Sequence, residues 1–219
     1  DAAGGGNALP SWPPAADDTL DLNGKWLTWA SETVPSLTVA TITSDPAGGT
    51  ITLSGSTVVA INAAIVGGGP GNVIYSSHTG TGGNAVTLTG SITTLTGAIA
   101  WRQTAAGTLN IIGGPVTGGT GYQGYGLWVT GKAEVNIYGN CIGGSGAIAV
   151  GVFVNNAGAA VNIYGNCTGG THYQAVGVQT VLGTTSVIGS LMDTAQCSAY
   201  YGPLLWQPVA GVHYHKVFY

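Results

Sequence analysis

A ten-residue segment that recurs further along the chain constrains the fold more than any other feature. Residues 135–144 read VNIYGNCIGG and residues 161–170 read VNIYGNCTGG, so nine of ten positions match when position 135 is aligned with position 161. A third copy, LNIIGGPVTGG, occupies residues 109–119. Repeats with a period of about 20 to 50 residues are typical of solenoids, in which each repeat stacks on its neighbours.

Weaker copies extend the series in both directions. They are ITLSGS at 51–56, AVTLTGSIT from residue 85 and TSVIGSLM at 185–192. Aligned on the first residue of the strand, the six copies begin at positions 51, 86, 109, 135, 161 and 185. The interval between positions 51 and 86 is the longest. The series therefore predicts about six coils, one of them with an insertion near residues 62–84.

A second strand recurs within each coil. Its copies are AWRQ at 100–103, GLWV at 126–129, GVFV at 151–154 and GVQT at 177–180. Each coil therefore contains at least two short strands separated by glycine-rich corners, where glycine supplies backbone angles that other residues resist.

The alternation within VNIYG predicts which side chains are buried. Successive side chains of a strand point to opposite faces, so Val135 and Ile137 face inward while Asn136 and Tyr138 face outward. Stacking coils about 4.8 Å apart buries the apolar faces and pairs the backbone groups. Glycine is abundant, at 39 residues, and good helix formers are scarce. We therefore predict an all-β fold, a right-handed parallel β-helix (β-solenoid).

The flanking segments lack the period. Residues 1–20 are rich in Pro, Gly and Ala and are predicted to form an extended N-terminal arm. Residues 21–45, which include the strand TVATIT, are predicted to cap the β-helix of residues 46–193. The aromatic-rich residues 194–219 are predicted to form a C-terminal cap or a segment that docks onto a partner.

The scarcity of charge limits the possible partners. Charged residues make up 5% of the chain, and its net charge is -4. The basic residues are Lys25, Arg102, Lys132 and Lys216. They form no basic patch that would neutralise phosphates, so no nucleic-acid partner is expected. Apolar stretches are interrupted by Gly, Asn and Thr, so no membrane helix or membrane partner is expected. A surface this poor in charge indicates burial against other subunits.

Asparagine recurs at two positions of the repeat. Asn110, Asn136 and Asn162 share an outward mid-strand position, and Asn140 and Asn166 share a corner. Stacked asparagines form hydrogen bonds along a solenoid, so we interpret both rows as structural ladders. A sugar-binding row is the alternative.

Cysteine also recurs. Cys141 and Cys167 occupy one position in adjacent coils, where the preceding copy has Pro115. We predict a stacked pair of buried thiols, and a disulfide is the alternative because the spacing permits it. A catalytic cysteine is not expected, since no histidine or charged residue falls at a matching position.

Aromatic residues form outward rows that fit a subunit interface or a sugar-binding surface. With so little charge around them, the interface is favoured. The interface candidates are Trp12, Trp128, Tyr138, Phe153, Tyr164, Trp206 and Tyr214.

No catalytic, cofactor or metal site is predicted. Glycoside hydrolysis generally needs two carboxylates at a fixed separation, and Glu134 is the only carboxylate within residues 46–192. β-Helix lyases resemble the predicted fold but use clustered acidic calcium ligands that this sequence lacks. His213 and His215 lie on one face of a strand, yet two histidines are weak evidence for a metal.

The short coils, the Gly/Thr/Asn-rich surface, the scarce charge and the arm resemble virion proteins of tailed phages. The resemblance is architectural and covers roughly residues 46–193. It implies a non-enzymatic homotrimer that decorates the capsid exterior as a cement protein and binds the major capsid protein or other virion subunits. One alternative is a tail-fibre, tail-spike or cell-surface adhesin module that binds glycans. Another is a polysaccharide-degrading enzyme with an intersubunit site.

Overall fold

The structure is a computed structural model. It describes residues 16–17, 19–22, 27–29, 36–43, 50–67, 71–97, 99–170 and 175–187. Apart from a single 3-10 turn at Gly82–Asn84, the regular structure of these residues is β-strand. The strands are β1 (Thr19–Asp21), β2 (Leu27–Trp29), β3 (Ser36–Thr43), β4 (Ile51–Leu53), β5 (Val59–Gly67), β6 (Asn72–Ser76), β7 (Val86–Thr89), β8 (Ile92–Thr94), β9 (Ile99–Gln103), β10 (Thr108–Ile112), β11 (Val116–Thr117), β12 (Tyr125–Val129), β13 (Glu134–Ile137), β14 (Cys141–Ile142), β15 (Val150–Ile163), β16 (Cys167–Thr168) and β17 (Val176–Val187).

The strands form three ladders of parallel pairs, which we name by face. Face A contains β2, β4, β6, β9, β12, residues 150–154 and residues 176–180. Face B contains residues 36–38, residues 59–62, β7, β10, β13, residues 160–163 and residues 184–187. Face C contains β1, residues 41–43, residues 65–67, β8, β11, β14 and β16. The chain passes from A to B to C and returns to A one strand further along.

This order of pairing makes the fold a parallel β-solenoid, which confirms the predicted architecture. Five complete turns run from residue 51 to residue 168, and we number them 1 to 5 from the N-terminal end. They comprise residues 51–67, 72–94, 99–117, 125–142 and 150–168. On the N-terminal side, β2 and β3 add strands to faces A, B and C, and on the C-terminal side β17 adds strands to faces A and B. The right-handed sense, the arm and the caps remain predictions.

The interior is a stack of apolar side chains in register. One inward column of face B is at most 1% exposed and consists of Val59, Val86, Leu109, Val135 and Val161. Asn136 and Tyr138 point outward between inward neighbours, as their alternation predicts. Stacking removes the apolar side chains of such a column from water. This burial is the main source of stability, and it contributes about 25 cal/mol of folding free energy per Å² of apolar surface.

Glycine is required where faces A and C approach each other. Gly126 and Gly151 occupy equivalent positions in successive turns of face A. A Cβ on Gly126 would lie 2.9 Å from the carbonyl oxygen of Val116 and 3.0 Å from that of Ile142, both on face C. The solenoid is therefore too thin at this point for any side chain.

The predicted insertion near residues 62–84 is wrong. Sequence similarity aligns residues 51–56 with the repeat of face B, but β4 belongs to face A, where Ile51 pairs with Ile74. The true partner of Val86 is Val59, on face B. Both segments have the same alternation of apolar and hydroxyl residues, so their pattern does not distinguish one face of the solenoid from another.

Candidate functional site on the outer faces

The outward surface of face B contains a continuous ladder of asparagine amides. Asn136 donates from Nδ2 to Oδ1 of Asn110 at 3.1 Å, and Asn162 donates in the same way to Asn136 at 3.0 Å. Their backbones pair in register, so the amides repeat at the spacing of the strands. The predicted ladder is present, and its amide groups bind one another along the axis.

A second column of face B exposes large apolar side chains on three successive turns. Ile112, Tyr138 and Tyr164 follow one another on turns 3, 4 and 5, with exposures of 40%, 51% and 40%. The two tyrosine rings stack with centroids 4.6 Å apart and planes inclined by 6°. One face of each ring is therefore covered by the other ring, and both side chains remain exposed.

The corresponding turns of face A display a second aromatic group, which we call the face A cluster. The Tyr125 ring stacks on Phe153 at 5.1 Å and meets Trp128 edge-on at 5.5 Å. Trp128 and Phe153 meet edge-on at 5.8 Å. The rings rest on a small apolar group of Ile99, Ile148, Val150 and Val176, separate from the interior. Sequence reasoning identified Trp128 and Phe153 but missed Tyr125, which lies just before the aligned GLWV segment.

Arg102 covers one face of the Trp128 ring in the face A cluster. Its Cζ lies 4.4 Å from the centroid of the Trp128 ring, a cation–π contact between adjacent turns. Arg102 Nε and Trp128 Nε1 are buried atoms without a hydrogen-bond partner. Burial, with a smaller contribution from repulsion by Tyr122, raises the pKa of the Tyr125 phenol. The cluster is thus a half-buried surface that carries one positive charge.

The repeated cysteines are buried thiols, as predicted, and they form no disulfide. Cys141 pairs in register with Cys167, and both side chains are fully buried in the interior. The residue before them in this column is Val116 rather than Pro115, because the third repeat copy contains one extra residue at the corner. The column is apolar throughout, which fits a packing role.

The corner asparagines also bond, but through the backbone. Asn140 Oδ1 accepts a hydrogen bond of 3.0 Å from the backbone N–H of Asn166. This contact ties turn 4 to turn 5 at the corner between faces B and C. Both rows of repeated asparagine therefore act along the axis of the solenoid.

A polar network inside the solenoid was missed at the level of sequence, where His78 had no evident partner. His78 is 1% exposed, and its Nε2 lies 2.6 Å from the carbonyl oxygen of Thr57. Its Nδ1 accepts a hydrogen bond from the backbone N–H of Gly80, and Gln103 donates to the His78 carbonyl oxygen. The sequence does indicate a polar group in the interior, because Gln103 aligns with the inward-facing Val129 in the repeat.

The described residues contain no cluster suited to acid–base or metal chemistry. Glu134 is exposed on face B, and its register neighbours are Thr108 and Ala160. No group of three or more His, Cys, Asp or Glu residues within the described ranges could hold a metal. The only helical segment there has three residues, far too short to cross a membrane. Four further candidates lie outside the described residues: Trp12, Trp206, Tyr214 and the His213/His215 pair.

Comparison with protein-family models, with curated proteins and with solved structures found no match.

Proposed function

We propose that this chain is a non-enzymatic structural protein of a virion, a homotrimer that decorates the capsid exterior and binds coat subunits. The observation that carries the proposal is the chemistry of the outer faces. The charged residues within the described part of the chain are Asp17, Asp21, Arg102, Lys132 and Glu134. Most of the remaining outward surface consists of hydroxyl, amide and apolar groups, which fit contact with other protein subunits better than free exposure to water.

The geometry of the aromatic rows favours protein contact over sugar binding. A pyranose ring is usually held on an open aromatic face. Here Tyr138 and Tyr164 cover each other, Arg102 covers Trp128, and Phe153 stacks on Tyr125. These contacts leave fewer open ring faces for a sugar, whereas partly exposed aromatic rings pack well at protein interfaces.

The side-chain hydrogen bonds between successive turns support a mechanical role. Asparagine side chains join successive turns on face B, and hydroxyl groups do so beside face A: Thr104 Oγ1 donates to the Ser76 carbonyl oxygen, and Thr130 Oγ1 donates to that of Gln103. A solenoid held in this way resists bending, which suits a protein that reinforces a shell.

The test combines solution mass with shell binding. Sedimentation equilibrium of the purified chain is expected to give the mass of a trimer, and the protein is expected to co-sediment with empty phage shells that lack their decoration subunits. A stable monomer with no affinity for any shell would overturn the proposal. A hit on a glycan array that is lost in Tyr138→Ala and Tyr164→Ala would replace it with the adhesin hypothesis, and polysaccharide cleavage abolished by Glu134→Gln would replace it with the enzyme hypothesis.

A further inference from the structure

We infer that copies of this chain associate through two different faces, with the face A cluster of one copy packed against the Ile112–Tyr138–Tyr164 column of face B on the next. The inference rests on the proposed homotrimer and specifies which surfaces form it. It is drawn from three features of the described chain: the position of the two patches along the axis, their composition, and their charge.

The two patches lie at the same height on the solenoid. On face A, Arg102, Trp128 and Phe153 follow one another on turns 3, 4 and 5, and the half-buried Tyr75 precedes them on turn 2. On face B, the column Ile112, Tyr138 and Tyr164 occupies the same three turns. On turns 1 and 2 the same column of face B is polar, with Asn62 and Thr89.

This agreement in height is what a cyclic assembly requires. In a ring whose symmetry axis runs parallel to the solenoids, equivalent turns of all copies lie at the same level. Each copy then presents one surface to the neighbour on one side and a different surface to the neighbour on the other. A patch on face A can meet a patch on face B only if both occupy the same turns, and here they do.

Charge complementarity points to a second copy as the occupant. Arg102 is the positive charge of the face A cluster, and Glu134 is an exposed negative charge on face B. Neither forms an ion pair with a described residue of its own chain. Arg102 lies on turn 3 and Glu134 on turn 4. In a neighbouring copy at the same height, the carboxylate is therefore displaced along the axis from the guanidinium by one strand spacing, about 4.8 Å.

The composition of the face A cluster fits the centre of an interface. Arginine, tryptophan and tyrosine are the residues most enriched among those that dominate binding energy. A two-fold pairing of face B with face B would bury the tyrosines but would leave Arg102 and Glu134 apart. The mixed pairing brings both Arg102 and Glu134 close to an opposite charge.

A charge-reversal cycle tests the inference. Arg102→Glu and Glu134→Arg are each expected to raise the dissociation constant of the oligomer about tenfold or more, measured by sedimentation equilibrium, because each places like charges together. The double variant restores opposite charges and is expected to recover to within about threefold of wild type. Thr117→Asp, which adds a negative charge at the outward position of β11 on face C, serves as the control and is expected to leave assembly unchanged.

The outcomes separate the inference from the proposal beneath it. Circular dichroism confirms that each variant is folded, and Tyr138→Ser provides a second disruption that does not touch the Arg102–Trp128 contact. Wild-type trimers that are insensitive to both single reversals and to Tyr138→Ser would overturn this pairing and leave the homotrimer standing. Single reversals that weaken assembly without recovery in the double variant also count against the pairing. A wild-type chain that is monomeric at every concentration would overturn the homotrimer itself.

Discussion

The side-chain amide of Asn136 donates a hydrogen bond of 3.1 Å to the amide oxygen of Asn110, one turn of the solenoid away. Asn136 in turn accepts one from Asn162, so it takes part in two bonds of the ladder while Asn110 takes part in one. This difference between the middle and the end of the ladder allows its contribution to be measured.

We expect Asn136→Ala to lower the free energy of unfolding by about 1–3 kcal/mol, because two side-chain hydrogen bonds are lost. Asn110→Ala is expected to cost about half as much, since one bond is lost. Urea unfolding followed by far-UV circular dichroism measures both. Both single variants lose the bond between Asn110 and Asn136. The loss of stability in the double variant should therefore be smaller than the sum of the losses in the two single variants. Strict additivity would mean that the hydrogen bond between Asn110 and Asn136 contributes nothing.

Gly144→Ala is expected to be severely destabilising. A Cβ at this position would overlap the carbonyl oxygen of Gly119 on the preceding turn. Because that oxygen belongs to the backbone, no flexible side chain can move to make room. We expect a loss of more than about 3 kcal/mol, or failure to fold. Gly83→Ala is the matched control, because nothing lies within 4 Å of its Cβ. Its expected effect is within about 1 kcal/mol of zero. Similar unfolding midpoints for the two variants would contradict the close packing of turns.

His78→Leu is expected to lower the free energy of unfolding by about 2–5 kcal/mol, because it removes two hydrogen-bonding groups from the interior. The substitution keeps an apolar volume there but leaves the carbonyl oxygen of Thr57 and the N–H of Gly80 without their partner. Each buried group left unpaired costs about 1–3 kcal/mol. Differential scanning calorimetry measures the loss, with Val129→Leu as a control for repacking alone at an inward position that makes no such bonds. Equal losses in both variants would show that packing, not the hydrogen bonds, is responsible.

Tyr125 predicts a loss of stability at alkaline pH. Burial raises the pKa of its phenol in the folded state, so above the unfolded value of about 10 the folded chain holds this proton while the unfolded chain releases it. The stability associated with Tyr125 is therefore complete below about pH 10 and is lost as the pH rises through the folded pKa. Urea midpoints at pH 8 and pH 11 should differ less in Tyr125→Phe than in wild type. An identical fall in both proteins would contradict the assignment.

The repeat by itself determined the architecture. Two nearly identical segments that begin at positions 135 and 161, each with alternating apolar residues, leave stacked parallel strands as the arrangement that buries one apolar face per turn. The same alternation placed Val135 and Ile137 inside and Asn136 and Tyr138 outside. The asparagine ladder and the buried thiols of Cys141 and Cys167 follow from in-register stacking.

Tertiary structure decided what the repeat does not encode. The pairing of Val59 with Val86 required knowing which strand lies on which face, since strands on different faces have the same period of two. The contact of Arg102 with Trp128, and the agreement in height between the two aromatic patches, depend on how the turns stack. His78 gained its partners Thr57 and Gly80 because the interior closes around it, and those contacts join residues that share no position in the repeat.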